Sequence, residues 1–105
     1  MTLREKQSEF VKMVARLILY ADSLGYELTF GDASAIIGHR RGSFHYKRLA
    51  IDLNLFIDGK YQRSTAEHAT LGVYWLKMGG TWGGCWSDGN HYSLGETKLN
   101  YINRR

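Results

Sequence analysis

The chain has 105 residues, 44% hydrophobic and 13% aromatic, with 14 Lys+Arg against 10 Asp+Glu for a formal charge of +4. That length suits one domain, spanning 1–105, with a real but modest core, and no apolar run approaches the roughly 20 residues that span a bilayer. The basic bias suits an acidic partner, whether nucleic acid, anionic membrane or wall polymer, but the basic residues are scattered, which makes solubility the simpler reading.

The single Cys85 excludes an internal disulfide and fits a reducing compartment. The polar start MTLREKQSEF carries no secretory signal. A chain of this kind is expected to be made in a cytosol and to stay there until something releases it.

In chain order, the first element is a helix over about Leu3 to Leu24. Phe10, Val14, Leu17, Ile18 and Ala21 form its apolar stripe, Thr2 and Glu5 sit at capping-box spacing, and Gly25 ends it. Tyr26 to Phe30 reads as a short strand, and Gly31 to Gly42 as a loop carrying Asp32, His39, Arg40 and Arg41. Leu49 to Phe56 alternates apolar and polar side chains with period two, as a half-buried strand does. Asp58-Gly59 is a hairpin turn, and Lys60 and Tyr61 begin the return strand. Ser64 or Thr65 caps a second helix reaching about Met78, whose apolar face is Leu71, Tyr74, Trp75 and Met78. Gly79 to Gly84 breaks that pattern in a glycine- and tryptophan-rich loop of the kind that lines clefts. His91 to Leu94 is a last short strand, and Gly95 to Arg105 a basic, loosely ordered tail. Helices and strands segregate, so the class is α+β: an antiparallel sheet with the N-terminal helix and a second helix packed on it.

The chemistry gathers around the central strand. Asp52 and Asn54 share one face of it, opposite Leu49, Ile51, Leu53 and Leu55, and a carboxylate in so apolar a strand needs a hydrogen bond or a cation. His45 lies seven positions before Asp52, and Asp88 three before His91. Singly, each has a plain structural explanation: a surface histidine, a hydrogen-bonded carboxylate, a turn former, a half-buried strand residue. Together, two histidines and one carboxylate make a three-ligand zinc site with a fourth position open for water, and the remaining aspartate is available as general base. His39 and His68 rank below His45 and His91, since both read as surface residues.

The pattern S-x-H-x6-D followed by D-G-x-H-[FY]-S resembles the zinc peptidases that cleave D-amino-acid-containing peptidoglycan peptides. These are the D-Ala-D-Ala carboxypeptidases and the small phage endolysins that are L-alanyl-D-glutamate endopeptidases. The blocks at Leu49–Phe56, Leu71–Trp75, Gly79–Gly84 and Asp88–Ser93 are similar to the phage subgroup, as are REKQSEF and YELTFGDA. Carboxypeptidase members often carry glycine three residues after the first ligand histidine, and Arg48 stands there.

The resemblance implies that His45, Asp52 and His91 are zinc ligands at the sheet edge and that Asp88 is the catalytic base. The family's oxyanion-stabilising arginine has no counterpart at Asp32-Ala33-Ser34, which leaves Arg40 or Arg41 to substitute. Ser43 is either a substrate contact or a turn cap, and Trp82 and Trp86 either flank the peptide groove or pack in the core.

The implied function is zinc-dependent hydrolysis of the L-alanyl-D-glutamate bond of the stem peptide. The implied setting is a monomer in the host cytoplasm until a holin releases it to the periplasm or wall, with no nucleic-acid partner and no stable membrane insertion. The alternatives are a D-Ala-D-Ala carboxypeptidase and a non-catalytic, metal-stabilised wall- or nucleic-acid-binding domain.

Overall fold

The computed structural model describes residues 1–31 and 47–96. The readings of His39, Arg40, Arg41, Ser43 and His45 lie outside the described residues.

Helix α1 spans Leu3–Ser23. Thr2 Oγ1 accepts the Glu5 N–H at 3.1 Å and the Glu5 carboxylate accepts the Thr2 N–H at 2.9 Å, so the capping box satisfies two otherwise orphaned donors. At the other end Tyr26 N–H reaches the Ala21 carbonyl and Gly25 N–H that of Asp22, both at 3.0 Å, a Schellman closure. The buried stripe is Phe10, Met13, Leu17 and Ala21, so Met13 takes an inner place and Val14 packs at its margin.

Strand β1 (Glu27–Phe30) pairs antiparallel with β2 (Ala50–Ile57), which turns back into β3 (Lys60–Gln62). The turn is the two-residue Asp58-Gly59, with φ of 53° and 77°, left-handed angles that a type I′ hairpin requires and that glycine adopts without strain. The expected second helix opens as a 3-10 turn, Ala66–His68, before α2 proper, Ala69–Lys77. Ser64 caps that turn, its hydroxyl accepting Glu67 N–H at 3.3 Å and donating to the Glu67 carboxylate at 2.6 Å.

Strands β4 (Thr81–Trp82) and β5 (His91–Ser93) follow, separated by a 3-10 turn over Gly83–Trp86. The path through the sheet runs β1-β2-β5-β4, with β3 also on β2. No helix among the described residues is long and apolar enough to cross a membrane.

The alternation in β2 is realised: Ile51, Leu53 and Leu55 are buried, while Asp52 and Asn54 are half-buried on the other face. Tyr92, paired with Ile51, joins the inner face. There the Trp75 ring stands edge-on to both Phe10 and Tyr92, with centroids 5.7 Å away in each case, and so joins α1, α2 and β5. The Trp75 indole N–H is shared between the carbonyls of Thr81 (3.1 Å) and Ser93 (3.0 Å).

The glycine-tryptophan block has a packing cause. A Cβ on Gly72 or on Gly84 would fall into the Trp82 ring, and one on Gly80 into the Trp75 ring. Gly72→Ala gives α2 about 1 kcal/mol of helix propensity, but the added methyl overpacks a ring held from two sides, at up to about 3 kcal/mol. The expected net loss is roughly 2 kcal/mol, a fall in Tm of about 10 °C for a chain of this size; an unchanged thermal midpoint contradicts this packing.

Candidate active site

Asp52 and His91 are directly opposite one another across β2 and β5. His91 Nδ1 lies 3.2 Å from Asp52 Oδ1. Both strands are interior to the sheet, so the pair sits on its outer face, away from the edge where it was expected. The correction follows from topology: β5 inserts between β2 and β4, and cross-strand neighbours on one face bring their side chains together.

The second ring nitrogen is taken by a residue the sequence reading placed in a loose tail. Glu96 is buried, and its Oε1 is 2.6 Å from His91 Nε2. Leu94 N–H bonds the Leu49 carbonyl at 2.9 Å, and Gly95, at a φ of +86°, turns the chain back toward His91. Burial disfavours the charged imidazole, but the hydrogen bonds that its N–H groups donate to Asp52 and Glu96, and the negative charges of those carboxylates, outweigh it and push the His91 pKa up to about 9.

Asp88 is half-buried at the start of the turn that delivers His91, whose N–H bonds the Asp88 carbonyl at 3.1 Å. This turn is fastened on several sides. Asp88 N–H bonds the Gly83 carbonyl at 2.9 Å, Gly89 N–H bonds Thr65 Oγ1 at 3.2 Å, and the Gly89 carbonyl accepts the Trp82 indole N–H at 2.7 Å. Leu53 N–H reaches the Asn90 carbonyl at 2.9 Å. Gly83 lies so close to the Asp88 backbone and to His91 Cβ (2.8 Å from where a Cβ would stand) that no side chain fits there.

Trp82 is therefore a core residue, 8% exposed, whose indole braces the turn between Asp88 and His91. Of the two readings left open for it, groove wall or core ring, that burial favours the core. Thr65, expected as a possible cap, instead holds Gly89.

His68 is also corrected, from surface to core, with 2% exposure. Its Nδ1 is 3.2 Å from the Tyr92 hydroxyl. Burial lowers the His68 pKa, with Gln62, Glu67 and Asp88 pulling the other way, and burial raises that of Tyr92, so both stay uncharged at neutral pH. His68 lies within electrostatic reach of Asp88.

The residue types suit zinc. An imidazole nitrogen and a carboxylate oxygen share one face at close range, and the other ring nitrogen is held by a second carboxylate, as zinc-binding histidines commonly are. Among the described residues no three His, Cys, Asp or Glu form a metal-holding group. The third ligand implied by the resemblance, His45, lies outside them.

The family model described as D-alanyl-D-alanine carboxypeptidase matches residues 37–94, more than half of the chain. The chain belongs to this family of zinc peptidases. The match takes in His45, Asp52, Asp88 and His91. Family members are in general zinc-dependent, and membership supports a metallopeptidase without fixing the bond it cleaves. No curated protein matches the chain.

Proposed function

We propose that this protein is a zinc-dependent peptidoglycan endopeptidase of the phage endolysin type, hydrolysing the L-alanyl-D-glutamate bond of the stem peptide. The observation that carries the peptidase reading is the Asp52–His91 pair, with Asp88 on the same braced turn, in a chain of this family. The bond and the lytic setting rest on the resemblance of the four sequence blocks to the phage subgroup.

His45, Asp52 and His91 would hold the ion, His91 through the ring nitrogen that faces Asp52. Zinc bound there supplies a Lewis acid for the scissile carbonyl and makes water a nucleophile at neutral pH. Asp88 takes the proton of the attacking water on its carboxylate and delivers it to the leaving amine nitrogen as the C–N bond breaks. Negative charge on the carbonyl oxygen calls for a cationic donor, the role assigned to Arg40 or Arg41. Ser43 contacts the substrate peptide. The enzyme acts as a monomer, held in the host cytoplasm until a holin admits it to the wall.

A second reading, D-Ala-D-Ala carboxypeptidase, is favoured by the description of the matching family. Mass spectrometry of digested peptidoglycan separates the two. The endopeptidase leaves L-alanine on the glycan as a new carboxyl terminus and exposes a free amine on D-glutamate. Release of terminal D-alanine alone, with the cross-linked net intact, establishes the carboxypeptidase instead. A chelator stops either activity and added zinc restores it; full activity in chelator sinks both.

A further inference from the structure

Glu96 has no part in the peptidase chemistry set out above, yet it is 4% exposed. A carboxylate so buried is costly without a strong partner, and its partner is His91 Nε2 at 2.6 Å, a short, charge-assisted contact. The backbone is shaped to make it: after β5 the Leu94–Leu49 hydrogen bond holds the strand end and Gly95 reverses the chain. The opposite ring nitrogen, Nδ1, faces Asp52. The imidazole is thus gripped at both nitrogens, and only the Asp52 side belongs to the candidate metal set.

A histidine can ligate a metal through one nitrogen only if the proton sits on the other, and a hydrogen-bond acceptor at that second nitrogen fixes the tautomer and the ring plane. We infer that Glu96 is the positioning residue of His91: it accepts the Nε2 proton, leaves the Nδ1 lone pair directed to the Asp52 side, and so sets the affinity of the site for zinc. The inference rests on the metallopeptidase reading and deepens it. Glu96 itself touches neither substrate nor ion.

Zinc affinity of the parent, Glu96→Gln and Glu96→Ala, measured by competition with a chromophoric chelator, tests this without reference to activity. Nitrogen–proton correlation NMR of the His91 ring in the zinc-loaded proteins is the second readout. Glu96→Ala is expected to bind zinc about 10–100-fold more weakly and to lose the slowly exchanging Nε2 proton signal. Glu96→Gln keeps an acceptor of the same shape without the charge, and its affinity should fall between the two.

An alanine variant within about twofold of the parent, with the Nε2 signal intact, overturns the inference. A glutamine variant equal to the parent overturns it as well, even where the alanine variant fails to fold. Equal and complete loss of zinc in both variants marks Glu96 as a ligand and also overturns the positioning role. If the parent binds no zinc, the metallopeptidase reading falls and takes this one with it; a zinc-binding parent beside unaffected variants removes only the role of Glu96.

Discussion

Asp88→Asn is expected to keep its fold and its zinc but to cleave purified peptidoglycan at least a hundredfold more slowly, since removing a general base costs about 10²–10⁴ in rate. The substitution is nearly isosteric. The backbone links that fasten the turn, Asp88 N–H to Gly83 and His91 N–H to Asp88, do not involve the altered group and survive. What is lost is an oxygen able to take a proton. Elemental analysis and the cleavage rate are read on the same sample. Near-normal cleavage rules out the catalytic role, and loss of zinc would make Asp88 a ligand instead.

The second large effect is on stability against pH in protein stripped of zinc by a chelator. His91 has a folded pKa of about 9 against an ordinary value of 6.5, because Asp52 and Glu96 face its two nitrogens. A raised pKa means that the folded state holds the proton more tightly than the unfolded chain does. The stabilisation is therefore complete below pH 6.5 and is lost as pH climbs through 9. Its size is at most about 3 kcal/mol for a shift of this order. Urea midpoints of the stripped protein should fall across that interval, and His91→Ala should flatten the curve. Zinc and proton compete for the same imidazole, so zinc affinity should rise over the same range. A stripped protein whose midpoint does not move between neutral and alkaline pH contradicts the paired carboxylates.

The half of the site that is legible in the sequence is the half written in short-range patterns. Period-two alternation from Leu49 to Phe56 places Asp52 on the polar face, and Asp58-Gly59 announces the hairpin that sets the register. The capping box at Thr2 and Glu5 is equally local.

What the sequence hides depends on tertiary approach. Glu96 lies in a stretch whose other charged residues are mainly basic, and only the reversal at Gly95 brings it under His91. Trp82 reads equally as a groove wall or a core ring until Gly72 and Gly84 are seen against its faces. His68 looks like a polar residue near a helix start, but the chain dips inward there to meet the Tyr92 hydroxyl. The sheet-edge placement failed because no local signal says that β5, last of the described strands, inserts beside β2. The available hints were weak: a lone acid five residues after His91, and glycines close in sequence to a tryptophan.

Strand β2 carries the core on one face and Asp52 on the other, and in an antiparallel pair a slip of one residue exchanges the two faces. A misregistered β2 would push Asp52 into the apolar interior and turn Ile51 and Leu53 outward, so the error is penalised in packing and, on the proposed metal site, in catalysis as well. The hairpin at Asp58-Gly59, which fixes the β2–β3 register, is then expected to influence the placement of Asp52 from a distance. Changes there that lengthen or loosen the turn should be silent or lethal to function according to whether the register survives. Activity thereby serves as a readout of folding fidelity.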